Sequence, residues 1–167
     1  MPLSSCLRCI LALGLALMLR PVAALDEVAH GAWTLRCEAV GAHHECILLQ
    51  NLVLGASGQT VLQFAIGYAP GDTSPTVLMS LPLGIALPPG VTIQIDAGKP
   101  ATFPVERCEP AGCRAGMKLR QQTIDQLGAG RELTITFYDA EREAIEVPVS
   151  LDGFSGGFAA LVAARGE

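Results

Sequence analysis

Charge is scarce in this 167-residue sequence: Asp, Glu, Lys and Arg make up 16% of it, and 16 acidic side chains outnumber 11 basic ones. That balance argues against nucleic acid or anionic lipid as a partner, since both require a basic surface. Beyond the N-terminus no apolar run is long enough to span a membrane, because Pro82, Gly84, Pro88 and Pro89 interrupt the best candidate. There is no βαβ alternation, no internal repeat, no low-complexity tract and no linker that would divide the chain, so one domain is expected. Half of the residues are hydrophobic, which excludes disorder and provides enough apolar surface for a core without a partner.

Part of that apolar excess is local. Residues 1–24 carry Arg8, an apolar run from Cys9 to Leu19, and the small residues Val22 and Ala24. This is the layout of a secretory signal peptide, with cleavage expected after Ala24. About 11 apolar residues fall short of the ~20 that a membrane anchor needs. Leu3-Ser4-Ser5-Cys6 has the letters of a lipoprotein box, but no apolar segment precedes it. Removing Arg8 and Arg20 leaves nine basic side chains against sixteen acidic ones, a net charge of −7. The expectation is a periplasmic or secreted protein, residues 25–167, with no membrane span after cleavage.

Cys6 and Cys9 leave with the signal, and Cys37, Cys46, Cys108 and Cys113 remain. An even count in an exported chain reads as disulfides, with three possible connectivities. Zinc is the rival, but eight and four intervening residues are not the tight knuckles of ribbon sites. Both neighbouring pairs close short loops, so Cys37–Cys46 and Cys108–Cys113 are the expected bridges.

The stretch 78–96, LMSLPLGIALPPGVTIQID, organises the rest. An apolar run ends in the turn formers Pro82, Gly84, Pro88, Pro89 and Gly90. A strictly alternating segment follows, with Val91, Ile93 and Ile95 on one face. Upstream, 25–31 reads as a polar lead without periodicity. Trp33, Leu35 and Cys37 alternate in a strand that turns at 40–44 and returns over 45–50. A loop is expected over 51–58, then a strand with Leu62, Phe64, Ile66 and Tyr68 on one face. Residues 69–75, Ala-Pro-Gly-Asp-Thr-Ser-Pro, form a dense breaker cluster and so a surface loop. The 76–81 segment is more continuously apolar, as a strand covered on both faces would be. After a hairpin at 96–100, a strand is expected over 101–105, a clipped loop over 108–113 and a strand over 114–119.

Residues 121–127 read as a helix stopped by Gly128. Strands follow over 133–138 and 144–151, with Ile145, Val147, Val149 and Leu151 inward. Pro148 cannot donate to a ladder, which puts that strand at a sheet edge. Phe154, Phe158, Leu161 and Val162 mark a terminal helix. Eight or nine short strands with one or two short helices make an all-β, mainly antiparallel, single-domain β-sandwich or barrel-like fold.

Chemical motifs are weak. Gly153-Phe154-Ser155-Gly156-Gly157 fits G-x-S-x-G, but no His follows Ser155 and the α/β scaffold is missing. His30, His43 and His44 suit a metal in type, yet adjacent residues on a strand point to opposite faces; an exposed polar hairpin tip is the plainer reading. Asp72 and Asp96 read as caps of their own turns. Glu141, Glu143 and Glu146 around Arg142 read as a solvated face. Cys6-x-x-Cys9 lies inside the signal, and Cys108 and Cys113 are spaced too widely for a thioredoxin-type pair.

From Gly58 to Asp96 and on through Lys99-Pro100, the sequence resembles the invasion-associated locus B family of exported bacterial proteins. The resemblance continues through Phe103-Pro104, Arg107-Cys108 and Ala111-Gly112-Cys113. It resumes at 133–137 and closes with Val147-Pro148-Val149-Ser150-Leu151 and Gly153-Phe154, with Trp33, Cys37 and Cys46 fitting its opening. It covers roughly residues 33–160, and the Leu-Pro-Leu-Gly to Pro-Pro-Gly-Val block is its most distinctive part. The resemblance implies an envelope or virulence-related protein and brings no catalytic residues with it. The expected role is non-enzymatic: binding a protein partner in the envelope or on a host surface, with no cofactor, metal or small-molecule substrate. Tyr68, Pro70, Asp72 and Pro75 form the candidate contact loop, with the edge near Pro148 as a second surface. An exported enzyme with a loop-built site, hydrolytic or metal-dependent, is the alternative.

Overall fold

The computed structural model describes residues 26–41, 43–53 and 60–165. The signal segment 1–24 and most of the 51–58 loop lie outside them. The first described element is a strand that periodicity does not mark. Asp26–His30 (β1) is solvent-exposed at four of its five positions, so its composition needs no alternation. A two-residue turn with Gly31 at φ +58° makes it a strand by pairing it with Trp33–Val40 (β2), which does alternate. His43–Val53 (β3) returns antiparallel with Leu35 opposite Leu48 and Cys37 opposite Cys46. Asn51, Leu52 and Val53 thus belong to a strand rather than to a loop, held by pairing with Thr60–Gly67 (β4).

Thr76–Leu81 (β5) follows, and then the chain crosses to a second sheet at Val91–Ile95 (β6) and Ala101–Phe103 (β7). It returns to the first sheet at Val105–Glu109 (β8) and Gly112–Lys118 (β9). Only Pro104 separates β7 from β8; a residue with no N–H serves well at a corner that belongs to neither ladder. The expected 101–105 strand is therefore two strands in different sheets. The expected clipped loop is likewise a hairpin, with Cys108 opposite Cys113. Helix Gln121–Ala129 (α1), strands Glu132–Tyr138 (β10) and Ala144–Ser150 (β11), and helix Phe154–Ala164 (α2) complete eleven strands and two helices among the described residues.

The strand orders are β1-β2-β3-β4-β5-β9-β8 and β11-β10-β6-β7, with every pairing antiparallel. Each order ends in edges, so the fold is an open sandwich and no barrel closes. β11 is an edge strand, where Pro148 faces no ladder that needs its missing N–H. Leu48, Phe64, Ile66 and Met79 of the first sheet meet Ile93, Ile135, Phe137 and Val149 of the second in one buried core. Truncating one of the buried aromatics, such as Phe64, to Ala should cost ~3–5 kcal/mol.

Three local expectations need correction. β5 is buried on one face only: Val77, Met79 and Leu81 are inside, whereas Leu78 on the outer face is 38% exposed. α1 ends at Gly130, not Gly128. The Gly130 N–H closes the last turn onto the Gln126 carbonyl, and the chain then passes where a Cβ would stand 2.7 Å from Ile95 Cγ2 and 2.9 Å from Leu151 Cδ1. On α2, Phe154 and Leu161 are buried, while Val162 lies further round the helix and is exposed. That helix begins at Gly153, φ +80°, where a Cβ would run into the His30 carbonyl. Its Phe154 packs edge-on against Trp33 with ring centroids 5.3 Å apart.

Candidate functional site

The loop between β4 and β5 owes its shape to its sequence. Pro70 presets φ, Gly71 takes φ +78°, and the Asp72 N–H closes the turn onto the Ala69 carbonyl at 2.9 Å. This is the residue placement of a type II turn. The loop is then tied down at two places. The Pro75 carbonyl accepts the Leu119 N–H at 2.8 Å, and Asp72 Oδ1 accepts Lys118 Nζ at 2.9 Å. Pro75 is buried, so of the four candidate contact residues it anchors the loop and is not displayed on it.

The last residue described, Arg165, closes the other side. Its guanidinium carbon sits 4.4 Å from the centroid of the Tyr68 ring, and its NH2 donates to the Asp72 carbonyl at 2.6 Å. Between this clasp and the tip of the β2–β3 hairpin lies a cleft of about 330 Å³, lined by Tyr68, Pro70, Asp72, His44, Glu45 and Leu161 among others. The structure thus brings Tyr68, Pro70 and Asp72 together at one opening and adds His44 and Glu45 from the hairpin. Arg165 was not legible as part of a site, since nothing in the sequence signals that the end of α2 folds back onto residues 68–72.

Other motif residues have structural partners. Ser155 lies in the first turn of α2, and its hydroxyl donates to the Gly128 carbonyl at 3.1 Å, tying the two helices together. His30 packs under α2, with its Nε2 buried and lacking a hydrogen-bond partner among the described residues. His44 is at the cleft, and the His43 side chain lies outside the described residues. No three His, Cys, Asp or Glu side chains converge among the described residues. Asp72 and Asp96 do not cap their own turns. Asp72 pairs with Lys118, and Asp96 accepts the N–H groups of Arg131 and Glu132 at 3.0–3.2 Å. Glu141, Glu143 and Glu146 are exposed.

Cys37 is bonded to Cys46 and Cys108 to Cys113, each bridge joining residues directly opposite on neighbouring strands. The two hairpins lie towards opposite ends of the seven-stranded sheet, which keeps the crossed partners apart. Among the described residues no helix is long and apolar enough to cross a membrane.

Fold and site together define a disulfide-bonded, open antiparallel β-sandwich with a cleft built from a loop, a hairpin tip and a helix end. More particularly, the chain belongs to the invasion associated locus B (IalB) protein family, whose model matches residues 33–162. It is 27% identical over 125 residues to an invasion protein B homologue of Brucella abortus, covering 73% of this chain and 70% of that protein. Invasion protein B of Bartonella bacilliformis is 25% identical over 130 residues, covering 75% and 69%. The crystal structure of invasion associated protein B from Bartonella henselae superposes with a TM-score of 0.74 at 22% identity, covering 83% of this chain and 95% of that one. At that identity the superposition establishes the fold.

Proposed function

We propose that this protein is exported and acts by binding a protein partner, in the cell envelope or on a host surface, through the cleft at Tyr68, Pro70 and Asp72. The observation that carries this reading is the clasp itself: Arg165, Asp72 and Lys118 hold the turn rigid and leave Tyr68 and the hairpin tip facing one opening. A preorganised loop loses little entropy on docking, and an aromatic ring beside an Arg is the composition of binding hot spots. The relatives' designation as invasion proteins supports an extracytoplasmic role, as do two disulfides in a chain that opens with a signal-like segment.

The test is cross-linking and pull-down from envelope fractions and host-cell surfaces, comparing the native chain with one in which Pro70, Gly71 and Asp72 are replaced by Ser. A partner captured by the native chain and lost by the folded variant supports the reading. Saturable turnover abolished by changing His44 or Glu45, with the fold intact, would overturn it in favour of an exported enzyme.

A further inference from the structure

A second cleft, of about 300 Å³, opens between the sheets where β6 and β7 approach β9 and α1. Its wall is made of the core residues Ile93, Ile95 and Met117, with Ala101, exposed on β7, and Thr123 and Gln126 of α1 also lining it. The cleft opens to solvent and leaves Ile95 and Met117 only half-buried, so apolar side chains of the core line a surface opening. The gap has a local cause. Ala101 stands opposite Ile93 and shares its face, and its methyl group leaves open a space that a larger side chain would occupy. Apolar surface in such a cleft takes up apolar ligands, and this volume is at the small end of ligand pockets.

Two charged groups line the opening, and only one is available. The Asp96 carboxylate already accepts the N–H groups of Arg131 and Glu132. Lys99, exposed on the β6–β7 turn, forms none of the salt bridges found among the described residues. An apolar slot with one ammonium beside it selects a ligand with an apolar body and an anionic end.

We propose that this cleft binds a medium-chain aliphatic carboxylate, its chain against Ile93, Ile95 and Met117 and its carboxylate on Lys99. The site is separate from the Tyr68 cleft and does not depend on the partner-binding reading.

The experiment is a titration of the exported chain, labelled at methionine methyls, with sodium decanoate below its micelle concentration. The Met117 methyl should shift saturably, while Met79, which does not line the cleft, should not. Octanoate should bind roughly tenfold more weakly, for the two methylenes it lacks. Lys99→Ala should weaken decanoate about two- to five-fold, the size of an exposed ion pair, and leave 1-decanol unchanged. Ala101→Phe, which fills the slot, should abolish the shift; if that variant does not fold, the Lys99→Ala comparison decides. Absence of a saturable shift, an undiminished shift in folded Ala101→Phe, or decanol binding as tightly as decanoate would each overturn the proposal.

Discussion

Gln50 on β3 holds both backbone groups of Ser150 on β11: its Nε2 donates to the Ser150 carbonyl at 3.1 Å, and its Oε1 accepts the Ser150 N–H at 3.3 Å. Trp33 Nε1 donates to the same carbonyl at 2.9 Å. β11 is an edge strand, so alternate backbone groups along it have no ladder partner. The Gln50 amide supplies one donor and one acceptor on the side where a neighbouring strand would stand. It is the one buried polar side chain among the described residues, and this pairing is why it is tolerated in an apolar core.

Gln50→Ala leaves the Ser150 N–H unpaired in a partly buried position and should therefore destabilise the fold by ~1–3 kcal/mol. Urea unfolding should show a lower midpoint with an unchanged slope, since the surface exposed on unfolding stays the same. A midpoint equal to that of the native chain would mean that water replaces the amide without loss.

Each disulfide should be separable from the other. Peptide mapping without reductant should recover Cys37 joined to Cys46 and Cys108 joined to Cys113. Replacing either pair with Ala should cost about 2–3 kcal/mol by loop-closure entropy, and slightly less for the shorter Cys108–Cys113 loop. Against a typical total of about 5–15 kcal/mol, losing both leaves the domain marginal. Recovery of Cys37 joined to Cys108 would refute the pairing.

Processing should remove residues 1–24 or nearly so. β1 begins at Asp26, so cleavage after Ala24 leaves a single residue ahead of the first paired position, Asp26 opposite Cys37. Intact-mass measurement of the native protein should give a chain that starts at or beside Leu25. A species that retains residues 1–24 and stays with membranes after carbonate washing would show an anchor instead.

What the sequence made legible follows from where information is local. Period-two alternation at Trp33, Leu35, Leu133, Ile135 and Phe137 marks strands because one face is buried, and Pro148 marks an edge because a missing N–H has a single consequence. β1 was invisible because an exposed edge strand needs no alternation, and the β7–β8 corner because a single Pro104 reads as a kink within one strand. The stop at Gly130 rather than Gly128 depends on Ile95 and Leu151, which are distant in sequence. The same holds for the site. Pro70-Gly71-Asp72 announces its own turn, whereas the Arg165 clasp and the burial of Pro75 arise only when α2 and β9 reach that loop.

Asp96 offers a sharper test of how backbone shape and hydrogen bonding combine. It follows β6 directly and adopts φ +46°, a left-handed conformation that Asp tolerates better than most residues. From there its carboxylate accepts the Arg131 and Glu132 N–H groups, and its own N–H donates to the Glu132 carbonyl at 2.9 Å. One residue thus sets the register at which β10 joins β6. Asp96→Asn keeps the left-handed tolerance and one acceptor oxygen and should cost about 0.5–1 kcal/mol. Asp96→Gly keeps the backbone freedom but loses both acceptors, and should cost more. Asp96→Ala loses the acceptors and adds left-handed strain, for a total of about 1–3 kcal/mol. The order Asn, Gly, Ala of increasing loss, read from thermal or urea unfolding, is the expected outcome. Equal losses for Gly and Ala would show that the conformation carries no strain. A loss for Asn as large as that for Ala would show that the charge, rather than the acceptor geometry, holds the start of β10.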